Sequence, residues 1–340
     1  MPPKKKPVSS SAGLGLDIGT MNIVSARRKA EGIEHRRMRD CFLDIELEHK
    51  KMLKLRQIDF VEREDEVLIL GDMALQVARL LNRELRRPLS AGLISPSEID
   101  SIEILGLLIK NVLGPPIKED EVCCFSIPAA PIDDPTKDVV YHKGVFQKIV
   151  EECGYTAIPS NEAMAIIFAE TASEGFSGLG LSFGAGMANV ALAVSTIEAM
   201  SFSVARCGDW IDNGAARSIG LTAAQICAVK EKEGFNLLDP QGREQQAISF
   251  YYQEMIQYVL DHIAKRFKLV QSQVTLDEPI PLVVSGGTSM AGGFMDFFKE
   301  VFEKKRKRFP IPISEIRQAS DPLHAVANGM LVQALQEEDA

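Results

Sequence analysis

The sequence predicts an α/β protein in which two related halves close on a shared cleft, and three observations carry that expectation. Two stretches are variations on one pattern: Gly13-Leu-Gly-Leu-Asp-Ile-Gly-Thr-Met-Asn-Ile-Val24 and Gly178-Leu-Gly-Leu-Ser-Phe-Gly-Ala-Gly-Met-Ala-Asn-Val-Ala-Leu-Ala193. Each reads as a strand, a tight glycine turn and a second strand. Elsewhere, apolar strands alternate with helical stretches in the rhythm of an α/β domain. The length of 340 residues leaves room for about two domains. A strand feeding a glycine-rich turn presents a nest of backbone N–H groups suited to an anionic phosphate. Two such nests imply two halves closing on one nucleotide.

Composition narrows the class. With 46% hydrophobic and 25% charged residues, the chain has the balance of an ordinary soluble globular protein. A net charge of −9 argues against general nucleic-acid binding. No apolar run reaches the roughly 18 residues of a membrane-spanning helix. Residues 1–12 read as a disordered basic tail, because Lys4, Lys5 and Lys6 have no apolar stretch beside them that would make a signal peptide or membrane helix. Cys41, Cys123, Cys124, Cys153, Cys207 and Cys227 lack metal-ligand spacing, which predicts reduced thiols in a cytoplasmic protein.

Taken in order, residues of about 33–90 alternate short β-like runs with charge and read as a small inserted subdomain. Its strands are Phe60-Val61 and Val67–Leu70, and a helical pattern follows from Asp72 to Leu85. The stretch Pro88–Ser101 reads as a polar entry into a helix over Ile102–Leu113. Glu121–Pro128 is a buried strand, Val139–Cys153 a helix and Ala157-Ile158 a short strand. Pro159–Ala169 leads into an apolar helix. There Glu162 is either a charge favoured at a helix N-terminus or a functional carboxylate. After the second nest the chain turns helical through Ala223–Lys232 and Gln245–Phe267. A buried strand over Pro279–Val284 ends in Ser285-Gly286-Gly287-Thr288, where two glycines admit either a flat ligand or a neighbouring turn. Lys304–Arg308 reads as a solvated helix end or as a site for a polyanion or acidic partner. Asp321–Met330 turns into a final helix, and Glu337–Ala340 reads as an acidic tail.

In this order the residues resemble the actin, DnaK-type chaperone and hexokinase superfamily, and within it the bacterial actins of the MreB and magnetosome-organising branch. Asp17–Asn22 is similar to the first phosphate motif, Ser182–Met187 stands at the second, and Ser285–Ser289 resembles the adenosine motif. Asn161–Ala165 and Asp321–Gly329 resemble the two connecting helices, Val229–Phe235 the segment at the nucleotide sugar and base, and Pro88–Ile94 a segment of MreB. The resemblance covers the chain from Gly13 to Leu335. It implies an actin-like ATPase fold: two α/β domains with smaller inserted subdomains around a cleft for ATP or ADP with Mg²⁺. The divisions it implies are 13–158 for the first domain, 159–320 for the second with a helical subdomain over about 212–275, and 321–340 for a C-terminal helix returning to the first.

The resemblance also assigns roles. Gly19, Thr20, Met21 and Asn22 would hold phosphate from one side, and Gly184, Ala185, Gly186 and Met187 from the other. Lys230 and Glu231 would meet the sugar and base, with Gly286, Gly287 and Thr288 closing the base pocket, and Gly208 and Asp209 belong to the same nucleotide-binding set. Asp17 would hold Mg²⁺ through water, as that ion's preference for keeping waters allows, and Glu162 would orient the attacking water. The family places Asp, Pro and Thr where this chain has Ser182, Ala163 and Met187. Because Ser supplies no negative charge, slow ATP hydrolysis is expected.

The chain is expected to leave no room for a peptide-binding domain after its last helix, and no second-substrate base stands out. Chaperone and kinase readings are therefore set aside. What remains is a cytoplasmic filament former, stacking head to tail with its own copies and working with a cargo or membrane-associated adaptor. The competing reading is a nucleotide-sensing adaptor that does not polymerise.

Overall fold

The computed structural model describes residues 12–339, so the tail expected over 1–12 lies, except for Ala12, outside the described residues. The chain opens with an antiparallel meander of β1 (Leu14–Ile18), β2 (Asn22–Lys29) and β3 (Gly32–Arg39). A small unit follows: β4 (Phe42–Glu46), α1 (Lys50–Leu55), β5 (Val61–Glu62), β6 (Glu66–Leu70) and α2 (Gly71–Leu81). A short hairpin, β7 (Leu89–Ser90) and β8 (Leu93–Ile94), leads to α3 (Ser101–Leu113), β9 (Val122–Ile127), α4 (Val139–Glu152), β10 (Thr156–Asn161) and α5 (Glu162–Glu170).

The second half repeats the plan with β11 (Gly178–Phe183), β12 (Ala188–Val194) and β13 (Ile197–Val204). Three helices follow, α6 (Gly208–Ile219), α7 (Ala223–Lys230) and α8 (Gly242–Val270). Then come β14 (Ile280–Ser285), α9 (Phe294–Lys305), β15 (Ile313–Gln318) and α10 (Ala325–Glu338).

The two five-stranded sheets have the same topology. One runs β10-β9-β1-β2-β3 and the other β15-β14-β11-β12-β13. In each, the first strand is antiparallel to its hairpin partner and parallel to a later strand, so β1 corresponds to β11 and β9 to β14. Period-2 alternation explains how the opening motifs are used. Leu14, Leu16 and Ile18 enter the core of the first half, and Leu179, Leu181 and Phe183 that of the second. The intervening residues, Gly15 with Asp17 and Gly180 with Ser182, fall on the opposite face. There the missing side chains let helices come close. A Cβ on Gly15 would stand 2.1 Å from the Ala327 carbonyl oxygen of α10, and one on Gly180 would stand 2.5 Å from the Ala163 carbonyl oxygen of α5. The same two helices pack on each other, with Ala165, Ala325, Val326 and Met330 in one buried cluster. They tie the two sheets together behind the cleft.

The structure corrects the sequence reading at several places. Gly32–Arg39 is paired along its whole length with β2 and belongs to the first sheet, so the small unit's own sheet, β4-β6-β5, begins at Phe42. The alternating charges of β3 look like a surface insertion because it is an edge strand. Pro88–Ile94 is a hairpin rather than a plain helix entry, turned by Ala91 and Gly92, both at positive φ (+47° and +82°). Positive φ at both central residues is the hairpin turn whose twist matches the flanking strands. The acidic C-terminal residues are helical as far as Glu338, whose carboxylate accepts the Val122 backbone N–H at 2.7 Å and pairs with Lys118. Ala340 lies outside the described residues.

Candidate functional site

The turns joining β1 to β2 and β11 to β12 are built alike. Gly19 N–H donates to the Asn22 carbonyl and Gly184 N–H to the Met187 carbonyl, each at 3.0 Å. The two turns face each other closely: a Cβ on Gly186 would lie 2.6 Å from Thr20 Oγ1 and 2.1 Å from Gly92 N. The β7–β8 hairpin tip packs on the second turn, with Met187 against Gly92. Lys137 holds that tip by donating to the Ala91 carbonyl at 2.9 Å.

A cavity of about 550 Å³ opens between the turns, large enough for a nucleotide-sized ligand. Every residue proposed for the site lines it: Asp17, Gly19, Thr20, Met21, Asn22, Glu162, Gly184, Ala185, Gly186, Met187, Gly208, Asp209, Lys230, Glu231, Gly286, Gly287 and Thr288. Several of these have work other than facing a ligand. Thr288 Oγ1 donates to the Gly184 carbonyl at 2.7 Å, and the Gly208 and Asp209 N–H groups donate to the Gly184 and Ala185 carbonyls at 3.2 and 2.7 Å. These three bonds brace the second turn from beneath. Lys230 forks onto both oxygens of Asp212 at 2.8 and 2.9 Å. Asp209 accepts both arms of Arg87 at 3.2 and 3.0 Å, a pair joining the base of the hairpin to α6.

Two carboxylates share the cavity floor. Glu162 sits at the start of α5, whose N-cap Asn161 accepts from the Ala163 and Met164 N–H groups. Its side chain is held by Ser182 Oγ at 2.6 Å on one oxygen and Asn189 Nδ2 at 2.9 Å on the other. Asp17 accepts from Ser126 Oγ at 2.8 Å. Burial raises the pKa of both. The Asp17 charge adds to the rise at Glu162, while the Ser126 bond and His324 offset part of it at Asp17. Ser182 therefore positions the carboxylate of Glu162.

The donor set suits a divalent ion only in one manner. No group of three or more His, Cys, Asp or Glu side chains able to hold a metal occurs among the described residues. Asp17 keeps one oxygen without a hydrogen bond among them. Asp17, with one oxygen free beside the two turns, fits Mg²⁺ carried in with its waters and phosphate.

Sequence reasoning missed several cavity-lining residues. Arg37 and Arg39 of β3 lie opposite Val24 and Asn22 in register and line the same cavity, each close to Asp72. Phe235, Tyr252, Met290 and Ala291 border the end near Lys230. The Gly-Phe ending of Val229–Phe235 was the available signal for Phe235. Asp40, whose N–H donates to the Met21 carbonyl, is fully buried with neither carboxylate oxygen bonded among the described residues. Burial holds its pKa well above the usual range, with Arg87 offsetting part of the rise. Gly286 lines the cavity and also lies against a neighbouring strand: a Cβ there would stand 2.4 Å from the Phe183 carbonyl oxygen.

A family model described as Volactin matches residues 13–334. No curated protein matches the sequence. Among solved structures the chain is similar to a MamK double helical filament, at 18% identity and a TM-score of 0.70 over 94% of this chain and 98% of that one. It is similar to MreB5 of Spiroplasma citri bound to AMPPNP, at 14% identity and a TM-score of 0.64 over 95% and 96% of the two chains. It is also similar to the ethanolamine utilization protein EutJ from Carboxydothermus hydrogenoformans, at 14% identity and a TM-score of 0.56 over 96% and 91%. At these identities the likeness is one of fold, and the fold is actin-like.

Proposed function

The chain belongs to the Volactin family, and from that premise we propose an actin-like cytoskeletal protein that binds ATP or ADP in its cleft and polymerises in response. The observation that carries this reading is the meeting of the two matched turns, Gly19–Asn22 and Gly184–Met187, across one cavity. The MreB5 structure bound to AMPPNP and the MamK filament support nucleotide binding and self-assembly by likeness of fold. Among the described residues no helix is long and apolar enough to cross a membrane. We divide the chain into domains at 13–158 and 159–320, with the inserted unit beginning near Phe42 and the final helix returning to the first domain.

The backbone N–H groups of both turns would hold the phosphates, and the segment from Lys230 to Phe235 with Gly287 and Met290 would border the nucleoside. Mg²⁺, held through Asp17, would neutralise phosphate charge. Glu162, fixed by Ser182 and Asn189, would position a water. Burial and the Asp17 charge raise its pKa, so a smaller fraction of it is ionised at neutral pH than of an ordinary carboxylate. With Ser182 contributing no charge, we propose slow hydrolysis. Closing the two halves on nucleotide would select one geometry for head-to-tail stacking, and release or hydrolysis would shift the population away from it.

The test is phosphate release and ATP affinity measured for the wild type, Glu162→Gln and Ser182→Asp. The proposal expects ATP binding in all three, loss of the slow release in Glu162→Gln, and faster release in Ser182→Asp. No gain in Ser182→Asp would sink the account of slow turnover. No binding by the wild type would sink the nucleotide reading.

A further inference from the structure

Asp40 follows β3 and is fully buried, yet neither of its carboxylate oxygens is bonded among the described residues. A buried polar group without a partner costs free energy and calls for an explanation. The cations nearby are mostly committed elsewhere. Arg37 and Arg39 lie close to Asp72, and Arg86 is taken by Asp44 and Glu98. Arg87 is the cation whose charge reaches Asp40, where it offsets part of the rise that burial imposes on the carboxyl. The backbone keeps the two together, because Phe42 and Arg86 exchange N–H to carbonyl bonds at 2.9 and 3.1 Å. Arg87 nevertheless directs its guanidinium to the second half, onto both oxygens of Asp209.

Each of these two carboxylates is hooked by its backbone to one of the facing turns. Asp40 donates its N–H to the Met21 carbonyl of the first turn at 3.0 Å. Asp209 donates its N–H to the Ala185 carbonyl of the second turn at 2.7 Å. The hairpin tip that follows Arg87 packs at Gly92 on Gly186 and Met187 of that second turn. Parting the halves to let a ligand out therefore stretches the Arg87–Asp209 pair, whose side chains are 31% and 21% exposed. Asp40 belongs to the same half as Arg87 and stays beside it in that movement.

We propose that Arg87 is a two-position latch governing nucleotide release: it holds Asp209 while the halves are together and passes to Asp40 when they part. The inference rests on the nucleotide reading above and assigns control of release to Arg87 and Asp40, neither of which lines the cavity. With the halves together, the unpaired Asp40 is a cost. With the halves apart, the ion pair to Arg87 offsets it. The carboxyl ionises as the guanidinium arrives and gives any proton it held to solvent. A guanidinium that leaves one carboxylate for another keeps a charge-assisted bond, and opening is easier by that amount. Without Asp40, Arg87 would leave Asp209 for solvent alone.

The experiment follows dissociation of a fluorescent ADP from the full-length chain by stopped flow. The chains are the wild type, Asp40→Asn, Arg87→Met and the double variant, with thermal unfolding to establish that each is folded. Asp40→Ala, which leaves no polar group behind, is measured alongside and should behave as Asp40→Asn does. Asp40→Asn should release ADP at least about tenfold more slowly than the wild type, a change of ~1.4 kcal/mol. In the Arg87→Met chain the same substitution should change the rate no further. That coupling separates a latch from a buried structural group, which would respond alike in both backgrounds. The proposal is overturned if both Asp40 variants release ADP at the wild-type rate or faster. It is also overturned if Asp40→Asn slows release as much with Arg87→Met as without it. A wild type that fails to bind the ADP defeats the nucleotide reading and this latch with it, whereas one that binds and is indifferent to Asp40 defeats the latch alone.

Discussion

The contact between the two halves can be probed at Gly186. Alanine there would place a Cβ 2.1 Å from Gly92 N, 2.6 Å from Thr20 Oγ1 and 2.7 Å from the Ala91 carbonyl carbon. Two of those atoms are backbone in the hairpin tip, which Lys137 and Met187 hold in place. An ordinary contact is 3.4 Å or more, so the second turn must move off the hairpin tip by more than about 1 Å and off Thr20 of the first turn by about 0.8 Å, an overpacking that costs roughly 1–3 kcal/mol. The same movement would pull one row of N–H donors off the phosphate that the proposed function sets between the two turns. Losing one or two charge-assisted bonds of about 1.5–3 kcal/mol each weakens affinity at least tenfold. The assays are thermal unfolding and titration with ATP, alongside Gly144→Ala in α4, where an added methyl meets nothing within 4 Å. That control should gain about 0.5–1 kcal/mol from helix propensity and bind as the wild type does. A Gly186→Ala chain with unchanged stability and affinity would refute the facing arrangement of the two turns.

Three further outcomes follow from buried charge. Arg27 pairs with Glu121 at 2.5 Å, both buried, and Glu121 also accepts the Gly13 and Ile117 N–H groups; Arg27→Ala should lose about 3–5 kcal/mol in denaturant unfolding, the cost of stranding a buried partner. His142 is packed edge-on to Phe146 and accepts the Ile94 N–H, and burial pushes its pKa down to about 3. Its contribution is therefore present above the unfolded value near 6.5 and lost as pH falls below it, by about 2 kcal/mol at pH 5, and His142→Asn should flatten that slope. Glu162 has the opposite sign: a carboxyl raised by folding stabilises at low pH, and the contribution is lost as pH rises through the raised value. Comparing wild-type and Glu162→Gln stability from pH 5 to 8 without nucleotide should show the wild type losing ground as pH rises, and a constant difference would count against a buried, proton-holding Glu162.

What could be read from the sequence was what is local in it. The two nests announce themselves because strand, turn and strand are contiguous, and Gly15 and Gly180 stand in the same place in each. Glu162 was visible because a carboxylate opening an apolar helix has two meanings; the structure sets it at the start of α5 with its side chain lining the cavity. Pairings between distant residues were hidden. Ser182 looked like a lost acid, and only the fold brings its hydroxyl to Glu162. Thr288 looked like a ligand contact, and only the fold sets it under Gly184. Arg37 and Arg39 were missed because the side on which they lie depends on the register of β3 against β2. The β7–β8 hairpin has only two residues in each strand, too few for any period to register. β15, Ile-Ser-Glu-Ile-Arg-Gln, is an edge strand whose polar residues conceal it.

The central claim is that nucleotide in this cleft drives assembly. Sedimentation with negative-stain microscopy, on the wild type with a non-hydrolysable ATP analogue, with ADP and without nucleotide, tests it most directly. The account predicts filaments with the analogue and monomers without nucleotide. Monomers that persist at high concentration with the analogue bound would contradict it.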